Sequence, residues 1–379
     1  MINNAESAVK ERYAAASQAV EANLCCPVDY DPQYLKIIPR EVIERDYGCG
    51  DPSKYLQRGE TVLDLGSGTG KICFIAAQVV GAEGKVIGVD MTDDMLEVSR
   101  RYAPEVGAAL GYENVEFRKG RIQDLALDLE QLDRELAERP VKSVEGWLEV
   151  EAVAAGLRRN CPLVETESVD VVVSNCVLNL VAAEQKKQLF AEIFRVLKKG
   201  GRAVISDIVS DEEIPDHLAE NEELWSGCIS GSYTEAGFLK AFEEAGFYGI
   251  ELLKFESEPW QTHEGLEFRS VTVQAWKGKE GPCLDRKQAV VYKGPFKSVL
   301  DDDGHRLDRG VRMAVCDKTY QLYQNEPYAS FFEHLDPIEE VELEEAREFD
   351  CQRNAVRSAR EMKGEGYDAT ITDCEPGCC

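Results

Sequence analysis

Four cysteines stand at positions where a thiol could take part in chemistry. Cys49 lies between two glycines in the segment YGCG, and Cys73 follows a glycine-rich loop, in the first turn of a predicted helix. Cys176 directly follows the apolar run VDVVVSN, and Cys228 lies in the loop SGCISG. Group transfer to oxygen or nitrogen normally uses a carboxylate, histidine or tyrosine as general base. Where thiols stand instead of such a base, they favour a soft substrate that binds sulfur.

Two simpler interpretations of these thiols are open. A single cysteine is often only a small buried hydrophobe, so the argument depends on the common placement of all four. A zinc site would also use thiols, but the 13 cysteines include no C-x-x-C pair, and none of the four histidines has ligand spacing to the cysteines above. We therefore favour substrate binding over structural zinc.

The loop DLGSGTG ahead of Cys73 has the form of a ligand-binding turn. It differs from the dinucleotide fingerprint G-x-G-x-x-G, because Gly70 comes two residues after Gly68 rather than three. Asp64 stands two residues before the first glycine, and Asp90 ends the next predicted strand. A carboxylate at that strand end can accept hydrogen bonds from both ribose hydroxyls of an adenosine group. We prefer this interpretation to a tight turn without a ligand, because Asp64 and Asp90 both stand at the positions that a cofactor loop requires.

Alternating strand and helix patterns are expected to position these residues. From residue 61, apolar strands and helices alternate, which indicates a doubly wound α/β fold with a parallel sheet covered on both faces. Residues 124–167 interrupt the rhythm and are predicted to be an inserted helical pair. The runs YGIELLKF and FRSVTVQAW are expected to end the sheet as an antiparallel hairpin. Open α/β sheets bind ligands at the carboxyl ends of their strands, so Cys73, Cys176 and Cys228 should converge there.

Composition argues against several classes of protein. The chain carries 71 acidic and 43 basic side chains, a formal net charge of −28, and has no basic stretch long enough to neutralise a run of phosphates, so we expect no binding to nucleic acid or to anionic lipid. The start MINNAESAVKERYAAASQAV lacks the basic and apolar regions of a secretory signal, and no segment approaches about 18 uninterrupted apolar residues. We therefore expect no membrane association and a cytoplasmic location, where thiols are kept reduced.

The segments VLDLGSGTG, VIGVDMT and SNCVLNLV resemble class I S-adenosylmethionine-dependent methyltransferases. The resemblance implies a Rossmann-like sheet and S-adenosyl-L-methionine as cofactor, with the loop receiving the methionine part, Asp90 the ribose, and residues near Met91 and Ile122 the adenine. The implied cofactor-binding residues are Asp64, Gly66, Ser67, Gly68, Gly70, Asp90, Met91, Ile122, Gln123, Asn175 and Val177.

Within that superfamily the sequence is similar to the arsenite methyltransferases. The segments YGCG, LDLGSGTGKIC, VDMT, VSNCVLNLV and LWSGCISG match that family in content and order, from about Tyr34 to Trp276. The resemblance implies a role in arsenic detoxification. The implied substrate is arsenite or its glutathione conjugate, and we expect a monomer.

The same resemblance implies a role for each of the four cysteines. Cys176 and Cys228 would hold trivalent arsenic, with Cys73 as third ligand before or during the first transfer. The arsenic lone pair can attack the sulfonium methyl without a base, so holding the two atoms roughly 3–3.5 Å apart is the main catalytic task. Transfer formally oxidises arsenic, and Cys49 and Cys73 would return two electrons by forming a disulfide, later reduced by thioredoxin or glutathione.

Composition and resemblance together divide the chain into three expected parts. Residues 1–254 would form the methyltransferase domain, with an amphipathic helix over residues 5–23. Residues 255–330 would form a small β-rich, arsenic-binding α+β region around the turn signal DDDG, and residues 331–379 an acidic, partly disordered tail. The doublets at Cys25-Cys26 and Cys378-Cys379 could bind arsenic as it enters, although spectator thiols are the simpler interpretation.

Two departures from the family pattern bear on these assignments. The 124–167 insertion is longer than expected, which affects adenine contacts, and Gly227 stands where relatives often have an acidic residue, which affects arsenic activation. One alternative function is methylation of an organic small molecule, such as a sterol or quinone, with merely structural cysteines. Another is metalloid sequestration on a methyltransferase scaffold, against which the intact glycine loop and Asp90 argue.

Overall fold

The structure is a computed structural model of the 379-residue chain, and it divides into two compact units, Met1–Lys277 and Gly278–Cys379. The described residues are Val9, Arg12, Tyr13, 28–45, 47–278, 281–364 and 367. The helix expected over residues 5–23 lies outside the described residues except for three positions. The doublets Cys25-Cys26 and Cys378-Cys379 also lie outside them.

A mixed sheet forms the centre of the first unit. Its strands are β1 (Thr61–Leu65), β2 (Lys85–Asp90), β3 (Val115–Lys119), β4 (Val169–Asn175), β5 (Leu197–Ser210), β6 (Tyr233–Thr234), β7 (Tyr248–Phe255), β8 (Gln261–His263) and β9 (Leu266–Trp276). The main order is β3-β2-β1-β4-β5-β9-β7, with β6 beside β5 and β8 beside β9. The first five strands in this order pair in parallel, and β9 is antiparallel to both β5 and β7. The predicted doubly wound sheet with an antiparallel end is confirmed.

Helices cover both faces of this sheet because its apolar runs expose alternate side chains to opposite sides. The α-helices in the described part of the first unit are α1 (Pro32–Leu35), α2 (Arg40–Glu44), α3 (Lys71–Val80), α4 (Asp93–Leu110), α5 (Leu129–Glu138), α6 (Val144–Asn160), α7 (Ala183–Val196), α8 (Asp216–Ala219), α9 (Glu222–Ser226) and α10 (Glu235–Glu244). On β1, Val62 packs in the core cluster that contains α3 residues, whereas Leu63 packs with Phe190 of α7 and Phe242 of α10. The two clusters fix the sheet between its helical layers.

Two helices, α5 and α6, occupy the segment between β3 and β4 where a helical pair was expected. Each begins at a residue whose side chain accepts a backbone hydrogen bond, Asp128 for α5 and Ser143 for α6. Such caps satisfy amides that have no partner within the helix. Arg158, near the end of α6, forms an ion pair with Asp124 at 2.8 Å, which ties the insertion to its point of departure.

The division between the units falls after Lys277, so the expected boundary at residue 254 is wrong. That position lies inside β7, and β9 pairs along its length with β5 in the middle of the sheet. The ladder continues to Lys277, whose backbone N–H donates to Gly201 at 2.8 Å and whose carbonyl accepts from Gly200 at 2.7 Å. Residues 255–277 therefore belong to the first unit.

The described part of the second unit is built from short strands and short helices. These are β10 (Leu284–Asp285), β11 (Ala289–Tyr292), β12 (Ser298–Leu300), β13 (Arg306–Asp308), β14 (Arg312–Ala314), α11 (Asp317–Tyr323), β15 (Phe332–Leu335), β16 (Arg347–Glu348) and α12 (Ala359–Lys363). The strands form a three-stranded sheet, β14-β11-β15, and the pairs β12-β13 and β10-β16.

The segment after residue 331 is structured up to residue 364, contrary to the expectation of a separate tail. Strand β15 pairs antiparallel with β11, and the Phe332 ring stacks on Tyr323 at 4.4 Å between centroids. Helix α12 begins with a capping box between Ser358 and Glu361. The acidic composition of this segment predicted disorder because the apolar residues that anchor it are few and widely spaced.

The turn signal around Asp301 forms the tip of the β12-β13 hairpin, and its buried carboxylate organises the turn. Asp301 Oδ1 accepts the backbone N–H of His305 at 2.7 Å, and Asp301 Oδ2 lies 2.8 Å from His305 Nδ1 and accepts Tyr323 Oη–H at 2.5 Å. Its side chain is 8% exposed. Burial alone would raise the pKa of Asp301, but the hydrogen bonds from His305 and Tyr323 outweigh it and lower that pKa.

Asp301→Asn is expected to lower the free energy of unfolding of the second unit by about 2 kcal/mol at pH 7, since hydrogen bonds to a charged group are lost. Because the folded-state pKa of Asp301 is depressed, its stabilisation is present above the unfolded value of about 4 and is lost as the pH falls through the folded value. Urea titrations from pH 7 to pH 3 should therefore show the two proteins converging in acid. The exposed neighbour provides the control, Asp302→Asn, and a pH-independent difference would contradict the assignment.

Candidate active site

The glycine loop between β1 and α3 has a backbone that only glycine adopts easily. Gly66, Gly68 and Gly70 have φ angles of +68°, +52° and +93°, a region that residues with a Cβ rarely enter. A Cβ at Gly66 would lie 2.4 Å from a methyl group of Val177, whereas one at Gly68 would meet nothing within 4 Å. The loop is thus packed on one side and open on the other, as required for close approach of a ligand.

Asp90, the last residue of β2, lies beside this loop. Its carboxylate accepts the backbone N–H of Gly68 at 2.9 Å through Oδ2 and that of Thr92 at 2.8 Å through Oδ1. Burial raises the pKa of Asp90 even though these hydrogen bonds oppose the change. Each oxygen keeps a second lone pair, so the carboxylate can still accept hydrogen bonds from a ligand with two hydroxyls.

An open cavity lies at this edge of the sheet. Its lining combines apolar walls with a few polar groups, as small-molecule and cofactor sites do. Eight predicted site residues line it, namely Gly66, Gly68, Asp90, Met91, Ile122, Gln123, Cys176 and Val177. The apolar side chains beside the Asp90 carboxylate fit an adenosine-containing cofactor. Asp64, Ser67, Gly70 and Asn175 do not line the cavity.

Cys49, Cys176 and Cys228, which we call the thiol cluster, come together next to this cavity. The sulfur atoms of Cys49 and Cys176 lie within 4.8 Å of each other and of a carboxylate oxygen of Asp207. Cys228 Sγ donates to the backbone carbonyl of Cys176 at 3.0 Å. Hydrogen bonds with the thiols of Cys228 and Cys49, together with burial, raise the pKa of Cys176 well above its usual value. All three residues are buried.

Two members of the thiol cluster have an unusual backbone conformation. Cys176 and Cys228 have φ angles of +63° and +64°, in the left-handed region that disfavours residues other than glycine. Cys176 follows β4 directly, and its N–H donates to Ser206 of β5 at 2.8 Å. Strained residues of this kind cluster at functional sites, where the surrounding structure enforces them.

Asp207 on β5 lies beside the thiol cluster and holds the segments that carry it. Its carboxylate accepts the N–H of Leu178 at 2.9 Å and the side-chain amide of Asn179 at 2.8 Å, and that amide also donates to the Cys228 carbonyl at 3.3 Å. Burial raises the pKa of Asp207 to about 6. At neutral pH the group is therefore an anion beside the thiols, and it links the end of β4 to the Cys228 loop.

Cys73 packs in a different core cluster from the residues of the thiol cluster. It belongs to the core cluster under α3, and its thiol donates to Asp64 Oδ2 at 3.1 Å. Cys49, Cys176 and Cys228 belong to a different core cluster. The structure places Cys49 beside Cys176, and the role of Cys73 as third arsenic ligand, which the resemblance implied, stays a prediction.

Asn175 holds the loop that carries Cys49. Asn175 Oδ1 accepts the backbone N–H of Cys49 at 2.9 Å and of Gly50 at 3.0 Å, and its Nδ2 donates to the Gly50 carbonyl at 2.8 Å. A Cβ at Gly48 would lie 2.2 Å from this amide group. The side chain predicted to contact the cofactor is thus engaged with the Cys49 loop.

Asn175→Ala is expected to speed hydrogen exchange of the Cys49 and Gly50 amides at least about tenfold, since each loses its acceptor. The rate of the methyl transfer that the resemblance implies should fall by a similar factor. The affinity for the cofactor should stay within about twofold. Exchange followed by mass spectrometry and calorimetric cofactor binding provide the two measurements. Asn175→Asp, which keeps the acceptor oxygens, should lose less. A variant that loses only cofactor affinity would restore the predicted cofactor contact.

Some side chains at the site carry no clear signal in the sequence. Tyr13 Oη lies 3.8 Å from Cys228 Sγ, and burial followed by the neighbouring Cys228 raises the pKa of Tyr13 well above its usual value. The Tyr47 ring packs edge-on against Tyr13 at 6.3 Å between centroids. Asp207 could have been found, because it interrupts an apolar strand run much as Asp90 ends one.

Asp90→Asn is expected to raise the KM for the cofactor about 30-fold, because charge-assisted hydrogen bonds to ribose hydroxyls become neutral ones. Substrate binding to the thiol cluster should not change. Asp93→Asn is the matched control, since this neighbouring carboxylate is mostly exposed and forms a surface ion pair with Lys119. Steady-state kinetics with varied cofactor would test the assignment, and an unchanged KM would contradict it.

Comparisons with known proteins cover most of the chain. A methyltransferase domain family matches residues 56–140 and 149–246, and a family described as a domain of unknown function matches residues 279–367. An arsenite methyltransferase from Aquipseudomonas alcaligenes is 32% identical over 337 residues, covering 84% of this chain and 86% of the relative. The Homo sapiens arsenite methyltransferase is 29% identical over 311 residues, covering 79% and 73%.

Structural comparison agrees with these matches. The crystal structure of an arsenic(III) S-adenosylmethionine methyltransferase from Chlamydomonas reinhardtii has 28% identity and a TM-score of 0.55, and the match covers 86% of this chain and all of that chain. Because the match covers 86% of this chain, the similarity spans both compact units.

Among the described helices, none has the length and apolar character needed to cross a bilayer.

Proposed function

The chain belongs to the family of S-adenosylmethionine-dependent arsenite methyltransferases, and we propose that its thiol cluster binds trivalent arsenic at the cofactor cavity and that Cys49 and Cys73 act as a disulfide relay. The observation that carries the proposal is the thiol cluster itself, in which Cys176 also lines the cavity. Soft thiolate ligands select thiophilic ions. A carboxylate or imidazole base is not required for this chemistry.

The cavity residues would bind and orient the cofactor. S-adenosylmethionine, when bound, supplies a methyl group on a positively charged sulfur. The Asp90 carboxylate would accept hydrogen bonds from the ribose, and the open side of Gly68 would admit the methionine part. Met91, Ile122 and Gln123 would border the adenine. Asp64 would act through Cys73, because its carboxylate accepts a hydrogen bond from the Cys73 thiol at 3.1 Å.

Arsenite loading at the thiol cluster is a ligand exchange without oxidation. Each As–OH bond is replaced by an As–S bond to Cys49, Cys176 or Cys228, and each thiol proton leaves with hydroxide as water. The bound arsenic keeps its lone pair, which is the nucleophile for the methyl group. The residues therefore contribute chiefly by holding the arsenic in position, and pre-organisation of this kind lowers the barrier. Asn175 and Asp207 support the cluster through their hydrogen bonds.

Methyl transfer formally oxidises arsenic from the trivalent to the pentavalent state. Two electrons return to arsenic when the Cys73 thiol loses its proton and attacks the arsenic-bound sulfur of Cys49. The As–S bond to Cys49 breaks and leaves its electron pair on arsenic, and the Cys49–Cys73 disulfide forms. A dithiol protein or glutathione would then reduce that disulfide by exchange. Burial raises the pKa of the Cys49 thiol, which keeps it protonated until it is used. The relay would support arsenic detoxification in a reducing compartment such as the cytoplasm.

Incubation of the protein with arsenite, S-adenosylmethionine and glutathione, followed by chromatography with arsenic-specific mass detection, tests the function directly. Methylated arsenic should form in a cofactor-dependent manner. The competing proposal, methylation of an organic small molecule such as a sterol or quinone, requires that arsenite leave the protein's thermal stability unchanged. If another substrate is methylated and arsenite is not, the proposed function is wrong.

A further inference from the structure

The second unit holds a group of cysteines that the methylation chemistry does not use. Cys283 lies just before β10, Cys316 at the N-terminus of α11 and Cys351 just after β16, so the three come from distant parts of the sequence. Their sulfur atoms all lie within 4.8 Å of one another. In a tetrahedral thiolate site the ion lies about 2.3 Å from each sulfur, and the sulfurs are about 3.8 Å apart. The three sulfurs are therefore near enough for small side-chain rotations to complete a ligand set.

Hydrogen bonds of the fold fix all three segments. Strand β10 pairs antiparallel with β16, and the Phe349 N–H donates to the Cys283 carbonyl at 2.8 Å. This pairing brings Cys283 and Cys351 to the same end of the two strands. Cys316 Sγ accepts the N–H of Thr319 at 3.4 Å, and its side chain is fully buried. The sulfur positions therefore follow from backbone pairing and not from a loose surface loop.

The donor set indicates which ion would fit. Structural zinc is almost always four-coordinate, and within residues 281–364 and the rest of the described chain no fourth histidine, cysteine, aspartate or glutamate shares this spacing. Trivalent arsenic takes three thiolates and keeps a lone pair in the fourth position. Its complex with three thiolates is also electrically neutral, whereas zinc with three thiolates carries a negative charge. A neutral complex suits a site in which Cys316 is buried and Cys283 and Cys351 are half-buried.

We propose that Cys283, Cys316 and Cys351 form a second binding site for trivalent arsenic, distinct from the thiol cluster. Binding converts three thiols and one arsenite into a trithiolate complex and three water molecules. Three As–O bonds break, three As–S bonds form, and no atom changes oxidation state. The half-buried sulfurs of Cys283 and Cys351 give the neutral arsenite molecule its access. This site takes up arsenic and does not methylate it.

The test counts arsenic bound to full-length protein. The background carries serine at Cys25, Cys26, Cys374, Cys378 and Cys379, so that other thiols do not contribute. After incubation with arsenite and gel filtration, plasma mass spectrometry should find about two arsenic atoms per chain in this background and about one in the variant with Cys176→Ser and Cys228→Ser. Adding Cys351→Ser to that variant should remove the remaining atom, whereas adding Cys161→Ser, an exposed lone cysteine, should not.

Further measurements separate the proposal from its competitors. Arsenic X-ray absorption of the Cys176→Ser, Cys228→Ser protein should show three sulfur neighbours, and circular dichroism should show that each variant is folded. Absence of arsenic from that protein would overturn the proposal, as would stoichiometric zinc that Cys351→Ser removes, or a Cys283–Cys351 disulfide that persists in glutathione. The number of bound arsenic atoms does not depend on catalysis, so it tests this proposal even if the protein does not methylate arsenic.

Discussion

Cys176→Ser is expected to lower the rate of arsenite methylation at least about 1000-fold, in the range found when one member of a concerted catalytic group is removed. Cys176 is the member of the thiol cluster that shares hydrogen bonds with both other thiols, and it also lines the cofactor cavity. A serine hydroxyl is a hard donor that does not replace thiolate for a soft ion. The loss should affect arsenite and methylated trivalent arsenic alike, because both need this ligand.

The matched control for that variant is Cys161→Ser. Cys161 caps the C-terminus of α6 and is exposed, so its replacement should leave the rate within about twofold. Initial rates of arsenic methylation and calorimetric binding of the cofactor should be measured for both proteins. The cofactor should bind Cys176→Ser nearly as well as it binds the parent. A Cys176→Ser protein with more than about a tenth of the parent rate would assign the cysteines a structural role.

The parts of the site that the sequence predicted are those fixed by local rules. The glycine spacing and Asp90 follow from the strand, turn and helix that contain them, and Cys176 follows β4 directly. Because parallel strands end at one edge of a sheet, such residues converge whatever the rest of the chain does. In the structure, Asp90 and Cys176 both line the same cavity.

The parts that the sequence did not predict depend on contacts between distant segments. The resemblance implied that Asn175 contacts the cofactor, but its hydrogen bonds to the YGCG loop, 125 residues away, could not be predicted. The position of Cys49 beside Cys176 has the same origin. No local pattern relates Cys283, Cys316 and Cys351 either, because only the pairing of β10 with β16 and the position of α11 bring them together. Tertiary pairing of this kind has no periodic signature.

Cys49→Ser is expected to lower turnover of inorganic arsenite at least about 100-fold while sparing the first transfer to methylated trivalent arsenic. Arsenite has three exchangeable hydroxyls and can use all three thiols of the cluster. Monomethylated trivalent arsenic has only two, which Cys176 and Cys228 can satisfy. Single-turnover assays with each substrate, and multiple-turnover assays with glutathione or a dithiol protein as reductant, would measure the difference.

Cys73→Ser decides whether Cys49 serves as a ligand only or also as a relay thiol. Its hydroxyl can still donate to Asp64, as the Cys73 thiol does at 3.1 Å, so the fold should be kept. If the relay operates, this variant should complete one round of arsenite methylation and then stop, and peptide mapping of the parent without reductant should find a Cys49–Cys73 disulfide. Continued turnover by Cys73→Ser, or a Cys49–Cys176 disulfide in its place, would contradict the relay. The proximity of Cys49 to Cys176 makes that second pairing the direct competitor, because disulfide exchange favours the thiol within reach.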